Sequence, residues 1–90
     1  MRLLIVEDDF IIAKGLQKHF EKYHYDVQYI EDFEHVLDDF LAFQPDLVLL
    51  DIHLPFFDGY YWCQEIRKIS QVPIVFISSA NENMNIVLAM

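Results

Sequence analysis

Short apolar runs alternate along this chain with segments of helical periodicity. Leu3-Leu4-Ile5-Val6 is continuous, as expected of a strand covered on both faces. Asp8 or Asp9 can cap the segment that follows, where Ile12, Leu16 and Phe20 recur at helical spacing. Residues 25–30 set Tyr25, Val27 and Tyr29 against Asp26 and Gln28, the alternation of a half-exposed strand. Phe33, Val36, Leu37, Phe40 and Leu41 mark a second amphipathic helix, ended before Pro45. Residues 47–50 predict another buried strand, and the loop after it carries Pro55 and Gly59. Trp62, Ile66 and Ile69 stripe a third helix, and residues 72–77 form a strand with proline near its beginning, a tolerated place. From Asn83 the pattern reads as helical up to Met90.

The order β-α-β-α-β-α-β-α predicts an α/β fold, a doubly wound parallel sheet with right-handed crossovers and helices on both faces. No linker, repeat or low-complexity tract divides residues 1–90, so one domain is expected. The alternation stops without a final strand or cap, and a continuation beyond Met90 is expected. In such sheets ligands bind beyond the carboxyl ends of the strands, where strand order reverses. The first strand ends in Glu7-Asp8-Asp9, the third in Asp51 and the fourth in Ser78-Ser79. Segments distant in sequence thus deliver carboxylates and hydroxyls to one edge. Clustered carboxylates repel unless a cation joins them, and a small cluster of hard oxygens suits Mg²⁺. Such an ion could also neutralise an incoming phosphoryl group and leave a carboxylate free as nucleophile. Helix capping accounts for Asp9 and, in part, Asp8; it does not account for Asp51, which precedes a loop.

Composition narrows the field. Ninety residues, 54% hydrophobic and 16% aromatic, make one small globular domain. With only Gly15 and Gly59, neither a dinucleotide fingerprint nor a P-loop can be written. Fifteen acids against six bases give a formal charge of −9, which repels phosphate backbones and anionic lipid, so direct DNA or membrane contact by this segment is disfavoured. The single Cys63 cannot form an intrachain disulfide. No apolar run approaches the roughly 18 residues of a membrane span, and the opening run is too short for a signal-peptide core. A cytoplasmic location is expected.

Three segments carry a resemblance: Leu4-Ile5-Val6-Glu7-Asp8-Asp9, then Asp51-Ile52-His53-Leu54-Pro55-Phe56-Phe57-Asp58-Gly59, then Pro73-Ile74-Val75-Phe76-Ile77-Ser78-Ser79. In order and consistently spaced, they resemble the receiver domain of two-component response regulators, over residues 1–90. The resemblance implies a flavodoxin-like (βα)5 fold with strand order 2-1-3-4-5, interrupted here after the start of the fourth helix. It implies that Asp51 takes a phosphoryl group from a sensor histidine kinase. Asp8 and Asp51 would bind Mg²⁺ directly with the backbone carbonyl of His53, and Glu7 through water. Ser78 would contact a phosphoryl oxygen, the backbone N–H of Ser79 would help hold it, and Pro55 and Gly59 would shape the loop. The wording of the loop and of Phe76-Ile77-Ser78-Ser79 is similar to winged-helix regulators of the antimicrobial-peptide and bacitracin-resistance type. That implies DNA binding only through an output domain not in this chain. Family members continue through a fifth strand and helix that carry a lysine and an aromatic switch residue. Without them, impaired phosphorylation is expected, and an unprotected apolar edge at residues 72–77 that invites a homodimer or other self-association by strand exchange.

Other side chains read more plainly. His19, His24 and His35 lack Cys or His partners at metal spacing and are expected to be solvated. Cys63 is expected to pack rather than react. Lys14, Lys18 and Lys22 fit a solvated helix face, although receivers dock kinases near that helix. Two other functions would need residues this chain lacks. An aspartate-nucleophile phosphatase would need an acid/base aspartate two residues after the nucleophile, where His53 stands. A flavin-binding module would need a phosphate-cradling loop after the first strand, where this chain puts three acids.

Overall fold

The computed structural model describes residues 1–78 and, as backbone, the strand 85–89. The elements are β1 (Arg2–Val6), α1 (Phe10–Glu21), β2 (Asp26–Tyr29), α2 (Val36–Phe43), β3 (Leu47–Asp51), α3 (Gly59–Arg67), β4 (Ile74–Ser78) and β5 (Asn85–Ala89). They form one sheet in the order β2-β1-β3-β4-β5, in which β1 to β4 are mutually parallel.

The alternation of side chains along each strand explains the two-sided core. Leu4 and Val6 point with Val48, Leu50, Ile74 and Phe76 into a cluster closed by Val36 and Phe40 of α2 and by Trp62 and Ile66 of α3. Leu3, Ile5 and Leu49 face the other way, against Ala13 of α1, with Leu16 and Phe20 packed alongside. Each fully buried leucine or isoleucine contributes about 1.5–3 kcal/mol, and in β1 alone Leu3, Leu4 and Ile5 are completely buried. Polar β1 positions would have nowhere to go, which is why the run is continuous.

Helix ends follow local chemistry. The Asp9 side chain accepts hydrogen bonds from the backbone N–H groups of Ile11 (3.0 Å) and Ile12 (3.3 Å), capping α1 as expected. Lys18 and His19 lie in its last turn, favourably placed for the helix dipole. Helix α2 ends at Gln44 in the left-handed region, with Pro45 next in sequence. Its first residue is Val36 rather than Phe33. Asp32 intervenes, accepting from the Glu34 N–H and binding His35, so the chain turns before the helix begins. Cys63 packs against the larger core cluster, and the phenylalanines at and beside α2 are core or core margin.

One element differs from the sequence pattern. The helix expected from Asn83 is not found at 85–89, where β5 pairs antiparallel with β4 from Ile74↔Ala89 to Ser78↔Asn85; positions 83 and 84 lie outside the described residues. The edge expected to be open at residues 72–77 is therefore covered. Ile86-Val87-Leu88 is short, uncharged and apolar, with β-branched Ile86 and Val87, and pairing it satisfies the outward backbone groups of β4.

Candidate metal centre

Strand register brings the site together. Val6 pairs with Leu50, so the next positions, Glu7 and Asp51, leave the sheet side by side at its carboxyl edge. Both share the face of Leu3, Ile5 and Leu49, and both are buried, with Glu7 2% and Asp51 1% exposed. Asp8, one residue on, is exposed. Carboxylate oxygens of Glu7, Asp8 and Asp51 lie within 4.8 Å of one another. Two like charges at that separation repel by about 3.5 kcal/mol at an effective dielectric constant of about 20. A hard divalent cation offsets that repulsion, and an all-oxygen donor set with one exposed member fits Mg²⁺, which keeps part of its water.

The remaining residues of the expected site fall into three groups. The backbone N–H of His53 donates to Asp51 Oδ1 at 3.3 Å, and the His53 residue is exposed. Ser78 ends β4 one position beyond Ile77, the partner of Asp51, so the backbone brings it to the same edge. Ser79 lies outside the described residues.

The loop from β3 to α3 is tightly closed. The Gly59 N–H donates to the Ile52 carbonyl at 2.8 Å, and the Asp58 side chain caps α3 by accepting from the Tyr61 N–H at 2.9 Å. Between them the Phe57 N–H donates to the Pro55 carbonyl at 2.9 Å across Phe56, whose φ is 70°. An i→i+2 bond across a residue of positive φ is the rarer, strained kind of γ-turn. A non-glycine residue held there costs about 1–3 kcal/mol. Sequence reasoning missed both features. Asp58 ahead of a helical stripe was a readable cap, whereas nothing in Pro55-Phe56-Phe57 marks a left-handed phenylalanine.

A doubly wound α/β domain with three carboxylates gathered at its switch point is the class that fold and site define. Residues 3–90 match the response regulator receiver domain family, and the chain belongs to it. It is 51% identical over 88 residues to the uncharacterized transcriptional regulatory protein YvcP of Bacillus subtilis, covering 98% of this chain and 37% of that protein. It is 44% identical over 90 residues to the response regulator protein GraR of Staphylococcus aureus, covering 100% and 40%. The chain thus spans about two fifths of the length of these relatives. Among solved structures it is similar to the N-terminal domain of the nisin resistance regulator NsrR (TM-score 0.81, 45% identity, 93% of this chain and 71% of that one). It is also similar to the BeF3-activated receiver domain of Klebsiella pneumoniae RstA (TM-score 0.84, 31% identity, 92% and 71%). The chain is therefore a receiver domain of a two-component response regulator, a signalling domain of a family that generally uses Mg²⁺ at an acidic pocket. Among the described residues no helix is long and apolar enough to cross a membrane.

Proposed function

We propose that Asp51 is the phosphoryl acceptor of a phosphorelay. The observation that carries this reading is the convergence of Glu7, Asp8 and the almost fully buried Asp51 at the carboxyl edge of the sheet. Asp8, Asp51 and the backbone carbonyl of His53 would hold Mg²⁺, with Glu7 acting through water. When bound, the ion supplies the positive charge that lets a phosphoryl dianion approach the carboxylates. A carboxylate oxygen of Asp51 attacks phosphorus, the bond to the donor's histidine nitrogen breaks, and its electron pair returns to the imidazole. Ser78, through its hydroxyl, and Ser79, through its backbone N–H, would hold phosphoryl oxygens. The donor is a sensor histidine kinase, in keeping with the solved complex of the kinase ThkA with the response regulator TrrA, to which this chain is 29% identical (TM-score 0.79).

In this reading the chain catalyses only its own phosphorylation and dephosphorylation. Residues 1–90 form a receiver domain. Phosphorylation switches a homodimer or other partner interface, in the cytoplasm. DNA is reached through an output domain, in keeping with YvcP being named a transcriptional regulatory protein and with both relatives being more than twice as long. A phosphatase finds no support in exposed His53 as the group two residues after the nucleophile, and a flavin phosphate would meet the acids that follow β1.

Incubation with radiolabelled acetyl phosphate, with Mg²⁺ or with EDTA, tests the chemistry. The expected label requires the cation and is released by hydroxylamine, as an acyl phosphate is. An acid-stable, hydroxylamine-resistant label on serine would contradict the proposal.

A further inference from the structure

Phe56 stands where the fold gains nothing from a phenylalanine. It is held at φ 70° in the γ-turn across Pro55 and Phe57, it is 71% exposed, and it belongs to neither buried cluster among the described residues. Strain and apolar exposure both act against the native state, and such violations mark functional positions. The ring does not stand alone. Phe57 is 42% exposed and stacks on Tyr61 at 4.3 Å, and Tyr60 is 54% exposed, so the loop and the first turn of α3 carry several exposed aromatic rings. The loop is pinned at Gly59 and Asp58, so these rings are presented by a closed loop.

We infer that Phe56, flanked by Phe57 and Tyr60, is a docking anchor for the protein that delivers the phosphoryl group to Asp51. The inference rests on the acceptor reading above. Charge selects the occupant. Exposed Asp58 lies within the same loop, and exposed Asp8 and Asp9 follow β1 at the carboxyl edge that holds Asp51, in a chain of net charge −9, so the matching surface has an apolar centre and a basic rim. A second copy of this chain would set acids against acids in a two-fold contact. A phosphodonor must come to this edge to reach Asp51, and an aromatic anchor five residues from the acceptor would set its register.

Phe56→Gly and Phe56→Asn remove the ring and suit the left-handed backbone, so both variants should gain thermal stability. The protein carrying this chain is phosphorylated in parallel by acetyl phosphate and by the autophosphorylated cytoplasmic regions of its organism's sensor kinases. Transfer from the fastest of these donors should fall at least about tenfold in both variants, while labelling by acetyl phosphate stays within about twofold of the parent. Unchanged kinase transfer overturns the inference. So does an equal loss with both donors, which would make Phe56 a support of the acceptor loop. So does loss of a dimer by light scattering with kinase transfer intact. If the parent itself takes no label on Asp51 from acetyl phosphate, the acceptor reading fails, and this inference with it.

Discussion

A Cβ built on Gly59 would lie 2.2 Å from the backbone carbonyl oxygen of Asp51. The start of α3 therefore packs directly on the end of β3, a contact only glycine allows. Gly59→Ala must push apart two backbone segments, one of which carries the buried carboxylate. We expect a loss of about 1–3 kcal/mol in stability, read by urea denaturation, and weaker Mg²⁺ binding, read by Trp62 fluorescence. Parent-like values for both would mean that β3 does not need this close approach.

The carboxylate cluster should make the fold sensitive to divalent cations. Mg²⁺ at about one hundred times its dissociation constant should stabilise the chain by about 2.7 kcal/mol. Asp51→Asn removes one of the mutually repelling groups, so in EDTA it should melt above the parent, and its gain from Mg²⁺ should shrink. A variant that melts lower in EDTA and gains as much from Mg²⁺ as the parent would place the cation elsewhere.

His35 Nδ1 lies 2.8 Å from Asp32 Oδ2 on the exposed turn before α2. The hydrogen bond to Asp32, together with the charges of Asp32, Asp38 and Glu34, holds the imidazole pKa above the usual histidine value of 6.5. The same bond, with the Glu34 N–H, lowers Asp32 below 3.8. The His35 contribution is complete below pH 6.5 and is lost as pH rises through its raised value. The Asp32 contribution is present above 3.8 and is lost as pH falls through its lowered value. An NMR titration should show His35 titrating above 6.5 in the parent and returning toward it in Asp32→Asn. An identical titration in both proteins would show that the pair does not form in solution.

Trp62 is 4% exposed, and among the described residues its indole Nε1–H has no hydrogen-bond partner. Its contribution is therefore packing, against Phe57 and Tyr61. Trp62→Phe removes a buried donor that gains nothing and should cost under about 1.5 kcal/mol, whereas Trp62→Ala should cost about 3–5 kcal/mol. Comparable losses in thermal unfolding for both variants would reveal a bond made by the indole.

Much of this was legible in the sequence because both faces of β1 and β3 are buried, which forces unbroken apolar runs that end in acids. Glu7, Asp8 and Asp51 could be placed on one edge from topology alone, before any distance was known. Boundaries were less readable. Phe33 has the spacing of a helical residue yet packs from the preceding turn, and Ile69 continues the α3 stripe in sequence but is half exposed beyond the helix end. The segment 85–89 fits either period, and pairing with the outer edge of β4, a long-range effect, decides it as a strand. Phe56 was invisible because a positive φ is signalled by glycine or asparagine, and here the ring itself is the anomaly.

The central claim is that Asp51 carries the phosphoryl group. Intact-mass spectrometry after incubation with acetyl phosphate and Mg²⁺ tests it most directly, on the protein carrying this chain as parent and on its Asp51→Asn variant. The account predicts one added phosphoryl group on the parent, absent in EDTA and absent from Asp51→Asn. An unmodified parent, or an Asp51→Asn chain that gains the same mass, would contradict it.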